Sequence, residues 1–273
     1  PAVLENPGYH HEALVTSEGW LVSLQGVENS HGGEPFIGFR IEAHDPSTGE
    51  LTWSLDSQPL VDAGVLPAPP AGDADPYHAN AISWVDDDPL GASVWVSLRG
   101  TGNLMRVDRA TSTVTGFFGP EEGLDLVDPS GGPLPPTDWF WGQHAPEIVG
   151  NRFLVYDNGG RRPGAGLYSR VAEYVRTSAT EVQLAWDWTE PGWYEPNFGS
   201  AVTMPNGHVL VATGHCGDCE PKGDAAWILE LDPGAGTVVW RFDLTGDDSV
   251  YRGQPIDGCG IFANVRWCPA LGE

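Results

Sequence analysis

The chain has 273 residues, with 38 acidic side chains against 13 basic ones, a formal net charge of −25 and Lys222 as its single lysine. A surface this acidic repels phosphate backbones and anionic lipid, which excludes nucleic-acid binding; solubility, a saline habitat or genomic bias accounts for the acidity without a specific role. With 36 Gly, 24 Pro and 12 Trp, and no window of sustained 3.6-residue periodicity, a helical bundle is excluded and an all-β chain is predicted.

In chain order, four copies of one repeat begin near residues 9, 76, 142 and 198. The first opens with HHEALV, led by His11, and continues through WLVSLQG and EPFIGFRIEAHDPSTGELTWSLD. The second opens with HANAIS, led by His78, and passes through SVWVSLRG, which carries Arg99, to GNLMRVDRATSTVTGFFG. In the third, HAPEIV, led by His144, precedes RFLVYDNG and SRVAEYVRTSATEVQLAWDWTE, and in the fourth SAVTMPNG precedes HVLVATG and AAWILELDPGAGTVVWRFDL. Four short strands per copy, divided by Gly, Pro, Asn and Asp turns, predict a β-propeller of four-stranded blades, with 1–273 as one domain. The lead residues are 67, 66 and 56 apart, beyond the ~40–50 residues of compact blades, and loops take up the excess. Four blades are few for a closed ring and Pro1 is not an initiator methionine, so a processed or partial chain with further blades upstream is expected.

Alternate residues of a strand share a face, so His78 and Asn80 point the same way. If the lead positions are equivalent, His11, His78 and His144 converge on the central channel from three successive blades, with Arg99 ending a neighbouring strand. Three imidazoles suit either a metal centre or transfer of an anionic group. The guanidinium favours the second, because it is repelled by a divalent cation and forms charge-assisted bonds with sulfuryl or phosphoryl oxygens. Trp139, Phe140 and Trp141, just ahead of Gln143 and His144, fit an aromatic wall for a substrate or a core cluster equally well. Asp73, Asp75 and the run Asp86, Asp87 and Asp88 are the candidates for a structural Ca²⁺; no other metal or cofactor is expected. Cys216 with Cys219, and Cys259 with Cys268, form two local pairs, read as disulfides of an oxidising compartment; HCGDC as a metal or redox site is the lesser alternative. No apolar stretch exceeds strand length, so no membrane insertion is expected.

These residues resemble the bacterial arylsulfotransferases that work without a nucleotide donor (PAPS-independent). The resemblance runs from about Tyr9 to Arg252, through HHE, YHANAI, VSLRGTGNLMRVD, WGQHAPE, FLVYDNGGRR, SRVAEY, AWDW, MPNGHVLVATG and VYR. It implies a six-bladed propeller exported to the periplasm or secreted, with His144 as a nucleophile that is transiently sulfated and His11, His78, Asn80 and Arg99 as its anion-holding partners. It implies a ping-pong transfer of a sulfuryl group from a small aryl sulfate to a phenol, with a bell-shaped pH profile. Glu12 and Ala145 stand where that family commonly has Asp. Two rivals remain: a non-enzymatic binding or scaffold propeller, since DPSTGELTW and DPGAGTVVW also resemble quinoprotein-like repeats, and a metal-dependent hydrolase or lyase.

Overall fold

A computed structural model describes residues 9–164, 166–214, 226–244 and 250–255. Among these, the strands form four sheets. The first holds β1 (Tyr9–Val15), β2 (Leu21–His31), β3 (Glu34–His44) and β4 (Leu51–Asp56), and the second β5 (Ala79–Val85), β6 (Ser93–Leu98), β7 (Asn103–Asp108) and β8 (Thr113–Phe118). The third follows a short strand β9 (Asp125–Val127) and comprises β10 (His144–Val149), β11 (Arg152–Asp157), β12 (Arg170–Arg176) and β13 (Glu181–Trp188); the fourth is β14 (Ser200–Thr203), β15 (Val209–Thr213), β16 (Trp227–Asp232) and β17 (Thr237–Asp243). Each sheet is an antiparallel meander in chain order, with β9 added in parallel beyond β13. These are the blades of the predicted propeller.

Local chemistry explains the repeat. The hairpin between third and fourth strands opens on an aspartate in three blades, and its carboxylate accepts from backbone N–H groups inside the turn: Asp45 from Ser47, Asp108 from Thr111, and Asp232 from Gly234 and Ala235. This Asx capping holds the turn closed without help from the strands. Apolar residues then gather between successive sheets. Val22, Leu24 and Ile41 of the first meet Ile82, Val96 and Val107 of the second; Trp95 and Leu104 of the second meet Phe153 and Val155 of the third; Leu154 and Val171 of the third meet Val211 and Leu229 of the fourth.

Two fourth-strand tryptophans dock blade to blade. Trp53 packs edge-on against Trp84 and donates its indole N–H to the Arg109 carbonyl of the second blade, and Trp188 packs edge-on against Trp227 of the fourth. The outer strand β17 is the exception, exposed along its length with Val239, Trp240 and Phe242 open to solvent.

The segment 250–253 joins the last described blade to the first. Gly199 N–H donates to the Tyr251 carbonyl, Gly253 N–H donates to Ser200 Oγ, and Arg252 is ion-paired with Glu12. A small feature absent from the sequence reading is the helix α1 (Ser57–Asp62), capped by the Asp56 carboxylate. It is the one α-helix among the described residues, and no helix there is long and apolar enough to cross a membrane.

Candidate active site

At the inner strands the backbone is forced off the regular ladder. Residues His11 (φ 65°), His78 (φ 41°), Ala145 (φ 40°) and Gly199 (φ 123°) all take positive φ, and in the first three blades a register shift accompanies them. Positive φ costs a non-glycine residue free energy, so its appearance near the start of each inner strand marks a strained turn there. In the third blade the strained residue is Ala145, and His144 precedes it with its backbone paired to Tyr156. Gly199 is required for a second reason, since a Cβ there would lie 2.2 Å from the Tyr156 ring.

His144 is buried, 2% exposed, and its Nδ1 lies 2.7 Å from Asn158 Oδ1. The Asn158 amide nitrogen donates to the Glu195 carbonyl at 2.6 Å and the Phe198 carbonyl at 2.8 Å, which fixes Oδ1 as the acceptor. His144 Nδ1 must then carry the hydrogen, and the lone pair sits on Nε2. Burial pushes the imidazole down to about 3, helped by the positive charges of Arg99, His11 and His78 and opposed by the Asn158 hydrogen bond. It is neutral at any physiological pH.

The companion histidines are held differently. His78 Nδ1 lies 2.6 Å from Asp75 Oδ2, and the His78 backbone N–H donates to Asp75 Oδ1. His11 Nδ1 lies 2.6 Å from the Tyr251 hydroxyl, whose ring stacks on the imidazole, and the His11 and His78 rings are 5.3 Å apart. Asn80, fully buried, donates at 2.8 Å to the carbonyl of Gln143, the residue before His144, while its Oδ1 has no hydrogen-bond partner among the described residues. Gln143 in turn reaches Ser97 Oγ and the Asn103 carbonyl, so the approach to His144 is stapled to the second blade.

Arg99 is half-buried and donates to the Pro196 carbonyl at 2.9 Å, with its Nε buried and without a hydrogen-bond partner among the described residues. Burial and the neighbouring Arg161 guanidinium lower its pKa, against the pull of Tyr194 and Asp75. Arg99, Trp141 and Arg161 line a cavity of about 660 Å³. Trp139 does not belong to that wall: it is 3% exposed, stacked on Tyr174 and set edge-on against Phe118 in the core, with Phe140 beside it. The segment 139–143 is not a strand, so two tryptophans two residues apart need not share a face.

A buried ionic cluster holds the loop behind Asn158. Asp157 accepts from Arg162 at 2.6 Å and Arg170 at 2.9 Å, and its other oxygen accepts from the Trp141 backbone N–H. One carboxylate thus ties the Asn158 loop to the Trp141 segment that leads into His144.

The other sequence candidates fall elsewhere. Asp86 bonds Ser17 and Arg109, Asp87 the Gly150 N–H, and Asp88 Arg106, Ser93 and Trp95, while Asp73 accepts from the Asp75 backbone. These carboxylates are dispersed over separate partners, and among the described residues no three His, Cys, Asp or Glu side chains gather as a metal site. Cys216, Cys219, Cys259 and Cys268 lie outside the described residues. Sequence reasoning missed Asn158, Tyr251 and Arg161 as site residues and the pairing of Asp75 with His78; for the pairing the string ADPYH, with a carboxylate three residues before the histidine, was the available signal.

No curated protein matches the chain. Among solved structures, Kuenenia stuttgartiensis hydrazine synthase is similar at 12% identity and a TM-score of 0.43, over 88% of this chain and 50% of that one. The chain thus spans half the length of that structural neighbour. The family model of the arylsulfotransferases (ASST) matches residues 3–252, and with nearly the whole blade array and every histidine of the cluster inside that span, the chain belongs to the arylsulfotransferase family.

Proposed function

We propose that this chain moves a sulfuryl group from an aryl sulfate to a phenol by a ping-pong reaction through a sulfo-histidine at His144, without a nucleotide donor, in an exported protein. The observation that carries the reading is a buried, neutral imidazole whose Nδ1–H is committed to Asn158, leaving the Nε2 lone pair as nucleophile. Nε2 attacks sulfur, the S–O bond to the aryl group breaks, and the aryl oxide leaves with a proton from the neighbouring histidines. The acceptor phenol then attacks the same sulfur, the S–N bond breaks, and the phenolic proton passes to a histidine, which restores the starting state.

Arg99 supplies fixed positive charge for the sulfuryl oxygens, whose charge grows in the transition state. His78, with Nδ1 turned to Asp75, uses Nε2 to give and take the proton, as a carboxylate-oriented imidazole does. Asn80 acts through the Gln143 carbonyl, setting the position of the nucleophile's backbone.

The test is incubation with 4-nitrophenyl sulfate, with and without phenol, following nitrophenolate release and intact mass for wild type and His144→Ala. Phenol-dependent release with a sulfuryl adduct that disappears in the variant is expected. Absence of both release and adduct across a panel of aryl sulfates refutes the reading in favour of a binding propeller; release that needs only water and added metal refutes it in favour of a hydrolase.

A further inference from the structure

The cavity beside Arg99 does not contain His144, yet Arg99 belongs to both: it lines the cavity and its charge acts on the His144 imidazole. The cavity's apolar walls come from Leu66, Pro67, Phe117 and Trp141, and its cationic wall from Arg99 and Arg161. Adjacent arginines on one loop are used in opposite ways. Arg162 is driven inward onto Asp157, both side chains fully buried, whereas Arg161 takes a left-handed backbone (φ 69°) and stands exposed, with Nη1 donating to the Gly100 carbonyl. The same loop begins at Asn158, so its inner end orients the nucleophile and its outer end presents a guanidinium at the cavity.

Arg99 and Arg161 both line the cavity, and burial together with the Arg161 charge lowers the Arg99 pKa; a bound anion relieves the repulsion between the two guanidiniums. An aromatic side chain beside paired guanidiniums is the chemistry that receives an aryl anion. The cavity is also lined by Glu121 and Glu122, and burial together with Glu121 raises the Glu122 carboxyl. A second negative group on the ligand's ring meets that acidic pair unfavourably.

We propose that this cavity is the aryl subsite, with Trp141 as the platform for the ring and Arg161 as a second sulfate-binding residue outside the histidine cluster, selecting aryl sulfates that carry no further anionic group. The proposal rests on the sulfuryl-transfer reading and gives it a substrate class. Arg161 acts in capture: it holds the sulfate on the way to Arg99 and contributes to KM rather than to kcat.

Sulfonates cannot be transferred, so their binding tests the subsite apart from the chemistry. The whole chain, as wild type, Arg161→Gln, Arg161→Lys and Trp141→Ala, is titrated calorimetrically with naphthalene-2-sulfonate, naphthalene-2,6-disulfonate and methanesulfonate, with circular dichroism to verify folding. In wild type the aryl monosulfonate should bind most tightly. Arg161→Gln should weaken both monosulfonates about tenfold, the size of one charge-assisted hydrogen bond, and Arg161→Lys should recover part of that loss. Trp141→Ala should weaken only the aryl ligand. Arg161→Gln binding within twofold of wild type overturns the proposal, as does an aryl preference that survives Trp141→Ala or a disulfonate that binds as well as the monosulfonate. Sulfonate binding in the expected pattern with no turnover of any aryl sulfate leaves the subsite standing and removes the transferase; turnover with an unchanged Arg161→Gln KM does the reverse.

Discussion

Burial keeps His144 neutral and Asn158 sets its tautomer, and Asn158→Asp tests both. In wild type the imidazole stays neutral down to about pH 3, so its protonation leaves the rate untouched between pH 5 and 8. A carboxylate in place of the Asn158 amide, with Oδ1 2.7 Å from Nδ1, favours the imidazolium. At an effective dielectric of about 20 and a charge separation of about 4 Å the attraction is worth about 4 kcal/mol, or about three pH units. The imidazole then titrates near pH 6, and at pH 5 about a tenth of it remains neutral for attack. The loss of the amide donors to Glu195 and Phe198 works against ionisation of the new carboxylate and trims the shift. The assay is the pH–rate profile of phenol-dependent release from 4-nitrophenyl sulfate, quenched into alkali, with the ¹⁵N resonances of the His144 ring as a readout independent of turnover. A variant with a flat rate from pH 5 to 8 and a ring still neutral at pH 5 refutes the assignment of Asn158 as the partner of His144 Nδ1.

Further outcomes follow from the same geometry. Because the folded pKa of His144 lies below its ordinary 6.5, its neutral form contributes stability that is full above pH 6.5 and is lost as pH falls toward 3, at most about 5 kcal/mol; in urea titrations His144→Gln should flatten that acid loss. Asp75→Asn removes the carboxylate that orients His78 and should lower kcat about a hundredfold with little change in Tm, measured as turnover against melting temperature. Gly199→Ala places a Cβ against the Tyr156 ring at φ 123° and should cost about 3 kcal/mol or more, visible as a lower denaturation midpoint. Asp157→Asn leaves Arg162 and Arg170 with a buried neutral partner and should destabilise the chain by about 3–5 kcal/mol; a loss under 1 kcal/mol in chemical denaturation would show that these guanidiniums find other acceptors.

The blades were legible because their signals are local. Strand alternation, the Asp-initiated turns at Asp45, Asp108 and Asp232, and the tryptophans near the ends of outer strands each depend on residues a few positions apart. The site is assembled from residues that are not. Tyr251 meets His11 across 240 residues and Asn80 meets Gln143 across 63, and no spacing pattern in one sequence encodes such pairs. Trp139 and Trp141 look alike in sequence, but an irregular segment sends one into the core beside Tyr174 and the other to the cavity.

The three histidines differ in backbone: His11 and His78 themselves take positive φ, whereas in the third blade Ala145 does and His144 precedes it. The His11 ring meets the Tyr251 hydroxyl and the His78 ring the Asp75 carboxylate. His144 sits one residue before the turn, with its backbone paired to Tyr156, its ring bonded to Asn158 and the Gln143 carbonyl before it bound by Asn80. Under the proposed transfer this anchored imidazole is the one whose lone pair meets sulfur along a single line, and His11 and His78 are left to hold the anion and carry the proton.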